Sequence, residues 1–390
     1  MAQINPIDSN TFWLSGFVVQ TNNDQFFVAE GPFQDVSLHK NEYTDYIAVN
    51  DLLIKPDYWN FLNSNAELIT GLKPKKSHWL NRKEFHDFIF DSSKKTTENK
   101  VQLSQLNQST QSQWNLQLNL QWNDQFKADF ELQFNHLQEF ISNQHLEKAV
   151  PIGVIKTETA NLLSPQKLIQ NLLLGINTKS WIYGFWDQGM GWVGQTPELL
   201  FQTNTAGLQN KIRTMALAGT WPKNAGTVND YQDPKIWNEH QIVVKDIKNQ
   251  LAKLNCTLHS DTEVIELKTL AHLKTNLEFT MENPDQICDV LNSLHPTAAL
   301  GIYPRNEQIS KTIRSWPMQN QRRSFGAPFG VLSKNISHLV VGIRNIFWNQ
   351  NHVQLFAGCG ITKDSVLASE YNEVLYKMES VKKMLGFVPL

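Results

Sequence analysis

Apolar side chains recur at helical spacing in four segments of the chain. The clearest segment is 239–254, where Ile242, Ile247 and Leu251 lie on one stripe. Ser164 is a residue type that caps helices, and it precedes a second segment of this kind. The pattern therefore predicts helices over about 123–143, from Ser164 onward, over 239–254 and over 369–385.

Short strands are predicted between these helices. Apolar and polar residues alternate strictly over 114–122, which is the repeat of a strand with one buried face. Aromatic and β-branched residues predict further strands, and a polar turn at 21–24 joins the first two of them. These strands are 12–19, 26–28, 149–155, 181–186 and 191–193, the last two forming a hairpin. Long helices mixed with many short strands favour an α+β fold over a doubly wound parallel sheet.

A polar stretch at 92–113, rich in Ser, Thr, Gln and Asn, predicts an exposed loop or linker. It separates a strand-rich N-terminal part, 1–110, from a C-terminal region, 111–390. The boundary is weak, because the strand predicted at 114–122 follows at once.

Composition excludes several functional classes. The 390 residues carry a formal net charge of −2 and no long basic stretch, so we do not expect nucleic acid as a partner. The three cysteines, Cys256, Cys288 and Cys359, are far apart and odd in number, which argues against a disulfide framework. No apolar stretch reaches the roughly 20 residues that span a bilayer, and the N-terminus lacks the pattern of a secretory signal. We therefore expect a cytoplasmic protein without a membrane partner.

Three glutamates on the predicted late helices could bind a metal ion. Glu239 lies at the predicted start of its helix, and Glu370 and Glu373 lie three residues apart on one side of the last helix. Carboxylates from separate helices suit Mg²⁺, which takes a few hard oxygen ligands and keeps positions for water and substrate. From spacing alone, surface glutamates near helix starts are the better interpretation, because negative charge is favourable there anyway.

Other candidate residues are ambiguous in the same way. Glycines in the turns predicted at 216–220 and 356–361 permit the close approach of a ligand, or form ordinary tight turns. Arg344, in an apolar strand, needs a partner such as a substrate carboxylate or a structural acid. Lys148 could act as a base only in surroundings that favour its neutral form. His272 alone is better explained as a structural residue.

Seven segments occur together in an order that resembles the chorismate-utilising enzymes. This family includes isochorismate, salicylate, anthranilate and aminodeoxychorismate synthases. The match covers roughly residues 120–388, whereas the first hundred or so residues match only in being short strands. The segments are Lys148-Ala149-Val150, Thr196-Pro197-Glu198-Leu199, Ala218-Gly219-Thr220, Asn238-Glu239-His240, Ala271-His272-Leu273, Leu294-His295-Pro296-Thr297, and Ala357-Gly358-Cys359-Gly360-Ile361 continuing through Glu370, Glu373 and Lys377.

The resemblance implies a four-layer α/β/β/α fold of two extended sheets flanked by helices, in agreement with the α+β pattern. It also implies Mg²⁺ held by Glu239 and Glu373, with Glu370 acting through water. The metal would hold the ring carboxylate of chorismate, near His272. The remaining substrate positions are Arg344 and the backbone near Gly358 and Gly360 for the enolpyruvyl carboxylate, Lys377 beside it, and Gly219 and Thr220 along the ring.

Two positions favour one reaction within the family. Members that add water to chorismate carry a lysine where members that add ammonia carry another residue, and this chain has Lys148. Lys148 would deprotonate water attacking C2, while Glu198 protonates the departing C4 hydroxyl, so both groups have to start neutral. The segment 294–297 also resembles that of isochorismate synthases. We therefore predict an isochorismate synthase, a monomer or weak homodimer, whose partners are chorismate and isochorismate and whose product feeds menaquinone or siderophore synthesis.

Three alternatives remain open at the level of sequence. A salicylate synthase or an aminating lyase would release pyruvate, and a non-catalytic paralogue would only bind chorismate. Departures from the family pattern concern the shape of the pocket and hence the product. They are the run Pro151-Ile152-Gly153 where an arginine is usual, Trp221, Ile302 and the segment 322–328.

Overall fold

Two extended antiparallel sheets organise the chain. The computed structural model describes residues 7–39, 42, 46, 50–54, 68–91, 121–175, 179–204, 211–223, 233–267, 270–283, 286–322, 325–333 and 336–387. The loop predicted at 92–113, the boundary after residue 110 and most of the strand predicted at 114–122 lie outside these residues.

The strands within the described residues are numbered in chain order. They are β1 Ser15–Asn22, β2 Gln25–Glu30, β3 Gln34–His39, β4 Leu52–Ile54, β5 Leu68–Lys73, β6 Lys76–Asn81, β7 Lys148–Ala149, β8 Ile152–Glu158, β9 Trp181–Asp187, β10 Met190–Thr196, β11 Leu199–Asn204, β12 Lys211–Pro222, β13 Asn255–His259, β14 Glu263–Glu266, β15 Leu270–Thr280, β16 Ile302–Tyr303, β17 Pro328–Leu332, β18 Ile336–Val341, β19 Asn345–Asn349 and β20 His352–Gly358.

Most of these strands belong to one of the two large sheets. The first sheet has eight strands in the order β6-β2-β1-β9-β10-β19-β20-β8. The second has ten, in the order β13-β15-β12-β11-β18-β17-β4-β5-β3 with β14 also paired to β15. The short strands β7 and β16 pair separately and hold Lys148 opposite Tyr303. The predicted hairpin is present as β9 and β10.

The helices of the described residues are labelled in the same way. They are α1 Ser9–Leu14, α2 Arg82–Asp91, α3 Lys127–Ser142, α4 Pro165–Leu174, α5 Pro234–Gln250, α6 Gln286–Leu294, α7 Glu307–Ser315, α8 Pro317–Asn320 and α9 Leu367–Leu385. In this part of the chain no helix is long and apolar enough to cross a membrane.

Side chains from the inner faces of both sheets form the central core. Phe17 of β1 stacks on Phe329 of β17 with ring centroids 4.7 Å apart, and Tyr183 of β9 contacts the same ring. Helices α1 to α4 pack on strands of the first sheet, whereas α5 packs on β12 and β15 of the second. The layers therefore run helix, sheet, sheet, helix, and the predicted four-layer α+β architecture is confirmed.

Cap residues fix where the helices begin. Ser164 accepts a hydrogen bond from the Lys167 N–H and caps α4 as predicted. Asp233 caps α5 by accepting from the Lys235 N–H at 2.8 Å. Because this cap lies before the predicted start at residue 239, Glu239 occupies the second turn of α5 and does not open the helix, which corrects the sequence prediction.

Two predicted strands are shorter than expected. Asp8 caps α1, so residues 12–14 are helical and β1 begins only at Ser15. The strand predicted over 149–155 is divided at Val150 and Pro151 into β7 and β8. Proline has no N–H to donate, and the chain at Pro151 passes from pairing with β16 to pairing with β20.

Gly219 and Arg344 differ from prediction in a way that shapes the functional site. Gly219 is not in a turn: it forms a bulge inside β12, with φ of 75°, where the register with β15 shifts. Arg344 is not in a strand either. It follows the end of β18 and has φ of 56°, in the left-handed region, yet it is buried.

Candidate active site

A cleft lies where β12, β15, β20, α5 and α9 meet. Apolar side chains, among them Leu217, Leu300, Phe325 and Phe356, form part of its wall. Nine of the twelve residues predicted for the site also line it, namely Glu198, Gly219, Thr220, Glu239, His272, Arg344, Gly358, Gly360 and Lys377. The other three, Lys148, Glu370 and Glu373, interact electrostatically with residues of this wall.

Lys148 is completely buried at the back of the cleft. Its Nζ donates to the Ala298 carbonyl at 2.7 Å and lies 3.3 Å from Glu239 Oε1. Gly360 leaves the room for this pair, because a Cβ there would lie 2.0 Å from Glu239 Oε1 and 2.5 Å from Lys148 Cε. The lysine is therefore held in one place by contacts on two sides.

Glu198 connects β10 to β11 and is also buried. Its backbone carbonyl accepts from the Val341 N–H at 3.0 Å, which fixes the segment against β18. Burial raises the pKa of the Glu198 carboxyl to about 8, against the attraction of Lys148 and Lys377. Glu198 is therefore protonated at neutral pH and can donate a proton into the cleft.

Three glutamates face three lysines between α5 and α9. Glu239 of α5 pairs with Lys148, and Glu373 of α9 pairs with Lys377 at 2.6 Å. Lys235, one turn before Glu239 on α5, pairs with Glu370 of α9. Of these three pairs, Lys235–Glu370 joins the two helices directly.

Glu370 is the most deeply buried of the three glutamates and is only 1% exposed. Burial raises its pKa, and the neighbouring charges of Glu373 and Glu239 raise it further, while Lys235 lowers it. Burial lowers the pKa of Lys235, but the three carboxylates outweigh this effect and raise it overall. Lys235 is therefore a positively charged neighbour of all three glutamates.

The chemistry of this donor set fits a divalent cation. Glu239, Glu370 and Glu373 offer carboxylate oxygens, the ligands that Mg²⁺ prefers, and their mutual repulsion favours a positive ion between them. Within the described ranges, no three His, Cys, Asp or Glu side chains are arranged closely enough to hold a metal ion. Each of the three carboxylates instead contacts a lysine.

Thr220, His272 and Arg344 form a hydrogen-bonded row along another wall. Thr220 and His272 lie opposite each other on β12 and β15, and Thr220 Oγ1 is 3.0 Å from His272 Nδ1. His272 Nε2 is 3.5 Å from Arg344 Nη2. Burial lowers the pKa of Arg344 to about 10, so its guanidinium remains charged at neutral pH and can bind an anion.

Lys377 joins α9 to the end of β20. Its Nζ donates to the Gly358 carbonyl at 2.7 Å as well as binding Glu373. Lys377 and Arg344 thus place two cationic groups in one cleft. Positive side chains in a cleft suit an anionic ligand.

A family model described as "chorismate binding enzyme" matches residues 78–386, which is most of the chain. The chain belongs to this family. The resemblance inferred from seven sequence segments is thereby confirmed. The matched range also includes all twelve predicted site residues.

Individual relatives share less than a third of their residues with this chain over the aligned range. Isochorismate synthase MenF of Bacillus subtilis (strain 168) is 29% identical over 224 residues, which are 55% of this chain and 46% of that protein. The chain thus spans about half the length of the curated relatives it matches first. At this identity the exact activity is not fixed by the relatives.

Solved structures of the family share the fold. MenF, the menaquinone-specific isochorismate synthase from Escherichia coli, superimposes with a TM-score of 0.73 at 18% identity, covering 98% of this chain and 92% of that one. Anthranilate synthase component I from Streptococcus pneumoniae TIGR4 superimposes with a TM-score of 0.59 at 14% identity, covering 98% and 95%. The architecture is therefore shared with both an isochorismate synthase and an anthranilate synthase component.

Sequence reasoning missed several residues of this site. Lys235 lies four residues before Glu239 on the same face of α5, but the helix predicted from the sequence began at residue 239 and so left it out. The Ala298 carbonyl that binds Lys148 could not be identified from the sequence, because every residue has a backbone carbonyl. The apolar wall also escaped notice, since residues such as Phe325 look like any core residue in sequence.

Proposed function

We propose that this chain is an isochorismate synthase that interconverts chorismate and isochorismate with the help of Mg²⁺. The observation that carries the proposal is that a buried lysine and a buried glutamate lie beside one cleft. Lys148 is held at Ala298 and Glu239, and burial raises the pKa of Glu198 to about 8. An acid that is protonated at neutral pH is what the loss of the C4 hydroxyl requires.

The reaction balances as an exchange of one water for another. A water oxygen bonds to C2 of chorismate while its proton passes to the Lys148 amine. The ring double bonds shift, the C4–O bond breaks, and Glu198 gives its proton to the departing hydroxyl, which leaves as water. Lys148 then carries a proton and Glu198 is ionised, and proton exchange with solvent restores both groups for the next turnover.

The cleft supplies positive charge for both carboxylates of the substrate. Arg344, with Lys377 nearby, binds the enolpyruvyl carboxylate, and backbone groups near Gly358 and Gly360 line the same end. Glu239 and Glu373 would hold Mg²⁺, with Glu370 acting through water. When bound, the ion neutralises the ring carboxylate and orients it. Gly219 and Thr220 lie along the ring, and the bulge at Gly219 leaves space there.

A product analysis tests this function directly. Purified protein is incubated with chorismate and MgCl₂, and the products are separated by chromatography while pyruvate is assayed in parallel. We expect isochorismate, in equilibrium with chorismate, and no pyruvate. Stoichiometric pyruvate would identify a salicylate synthase or an aminating lyase instead, and binding of chorismate without turnover would identify a non-catalytic paralogue.

A matched pair of lysine variants sharpens the same experiment. Lys148→Ala should lower the rate of water addition by about 10²- to 10⁴-fold, the usual contribution of a general base. Lys156→Ala, at an exposed position of β8, should retain the full rate. We further propose that the product feeds menaquinone or siderophore synthesis in the cytoplasm, as predicted from the sequence.

A further inference from the structure

Asp246 and Arg305 form an ion pair behind the cleft. Asp246 lies on α5, two turns after Glu239, and its side chain is fully buried. Arg305 Nε donates to Asp246 Oδ1 at 3.0 Å, and Arg305 Nη2 donates to Oδ2 at 2.9 Å. A two-point contact between guanidinium and carboxylate fixes both groups in orientation as well as in position.

This ion pair holds the segment 293–298. Arg305 Nη1 donates to the Ser293 carbonyl at 2.6 Å, and Asp246 Oδ2 accepts from the Ala298 N–H at 2.8 Å. Both ends of the segment are therefore tied to the same two charged side chains. Hydrogen bonds that involve a charged group are about twice as strong as those between neutral groups.

Ala298 passes this constraint on to Lys148. Its N–H is bound by Asp246, while its carbonyl accepts from Lys148 Nζ at 2.7 Å. A second anchor lies two residues further along, where Arg322 donates to the Leu300 carbonyl at 2.7 Å. The carbonyl that receives the lysine is thus set by charged side chains on α5 and in the loop after β16.

The orientation of a lysine decides whether it can act as a base. Ala298 O, at 2.7 Å, and Glu239 Oε1, at 3.3 Å, contact the Lys148 Nζ from two sides, so they determine where this nitrogen lies. A displaced Ala298 carbonyl would move the nitrogen away from the attacking water.

We propose that Asp246 and Arg305 are positioning residues that aim the Lys148 amine through the Ala298 carbonyl. The inference rests on the proposed function, in which Lys148 is the base. Neither residue lines the cleft, so their loss should leave the affinity for chorismate almost unchanged. It should instead slow the chemical step.

Asp246→Asn tests this inference by separating kcat from KM. A shift of about 1 Å in a catalytic group can cost about 10²-fold in rate, so we expect kcat for isochorismate formation to fall by about 10- to 10²-fold. The KM for chorismate should stay within about threefold, because substrate binding is retained. Arg305→Lys keeps the positive charge but loses the two-point contact, so it should show a smaller fall in kcat than Asp246→Asn. This variant tests the inference if Asp246→Asn does not fold.

The matched control is Glu278→Gln. Glu278 pairs with Arg213 at 2.8 Å on β15 and β12, six residues along β15 from His272. This change also weakens a carboxylate–arginine pair but does not touch Ala298. We expect wild-type kcat and KM from it, and a fall in kcat equal to that of Asp246→Asn would overturn the inference.

Hydrogen exchange and labelling of Lys148 give readouts that do not depend on turnover. In Asp246→Asn, amide exchange over 294–302 and reductive methylation of Lys148 should both be faster than in the wild type. Unchanged kcat despite faster exchange would overturn the positioning role, as would a raised KM with unchanged kcat. If the wild type forms no isochorismate, the proposed function fails, and the methylation rate alone decides whether Asp246 and Arg305 hold Lys148.

Discussion

Arg344 donates a hydrogen bond from Nη2 to Nε2 of His272, at 3.5 Å. Arginine has donors only, so this imidazole nitrogen must accept. Burial, together with the charges of Arg344 and Lys377, lowers the pKa of His272 well below its usual value, and the ring is neutral. Its single N–H is therefore on Nδ1 and is donated to Thr220 Oγ1 at 3.0 Å. The histidine thus orients the arginine and cannot itself supply positive charge.

Replacing His272 should weaken substrate binding through Arg344. In His272→Phe both hydrogen bonds are lost while a ring of similar size remains, so the guanidinium is no longer held in place. We expect the KM for chorismate to rise by about tenfold, equivalent to about 1.4 kcal/mol. Steady-state kinetics measure this, with His352→Phe, at an exposed position of β20, as the control. An unchanged KM would mean that Arg344 does not depend on His272.

The pH dependence of turnover should report the acid Glu198. Because burial raises the pKa of Glu198 to about 8, the carboxyl is protonated below that pH and ionised above it. An acid must be protonated to act, so we expect kcat to fall by about tenfold for each pH unit above about 8. This decline in kcat above about pH 8 should be absent in Glu198→Gln. It should remain in Glu158→Gln, because Glu158 is an exposed residue of β8. A rate that stays level up to pH ~10 would exclude Glu198 as the acid.

Glu198 should also make stability depend on pH. Its pKa is about 8 in the folded chain against 4.5 for the ordinary carboxyl. Between these values the folded state keeps a proton that the unfolded chain releases, so this contribution to stability falls as pH rises. Urea unfolding at about pH 5 and about pH 8 should therefore show a smaller loss of stability in Glu198→Gln than in the wild type. An equal loss in both proteins would contradict the raised pKa.

The sequence predicts most of the fold, and nine of the twelve residues it names for the candidate site line one cleft. Periodicity locates α4, α5 and α9 because apolar spacing records which face is buried. It misplaces the start of α5, where the Asp233 cap decides. The bulge at Gly219 was not predicted, because it depends on register with β15, a strand distant in sequence. The left-handed conformation of Arg344 was not predicted either. Lys148 and Glu198 could be named from family segments, but their burial could not be read from spacing.

Removing one of the carboxylates between α5 and α9 should weaken the dependence on metal. In Glu373→Gln the neutral amide is a poorer ligand for Mg²⁺ than a carboxylate. We expect the Mg²⁺ concentration for half-maximal activity to rise by about tenfold or more, and Mg²⁺ to give less thermal stabilisation without substrate. Glu379→Gln, which breaks the i,i+4 pair with Lys383 on the same helix, should respond to Mg²⁺ as the wild type does. If the two variants respond alike, Glu373 is not a ligand.

A side chain at Gly360 should displace the Lys148–Glu239 pair, because this pair occupies the space that a Cβ would fill. A Cβ at this position would lie 2.0 Å from Glu239 Oε1 and 2.5 Å from Lys148 Cε, so one or both side chains must move. We expect Gly360→Ala to fold but to lose about 10²-fold in kcat, the cost of displacing a catalytic group by about 1 Å. Gly175→Ala is the control, since the nearest atom to its added Cβ is 3.4 Å away at the end of α4. Comparable rates for both variants would show that the position of the pair does not govern the chemical step, whereas a loss confined to Gly360→Ala ties turnover to the placement of Lys148.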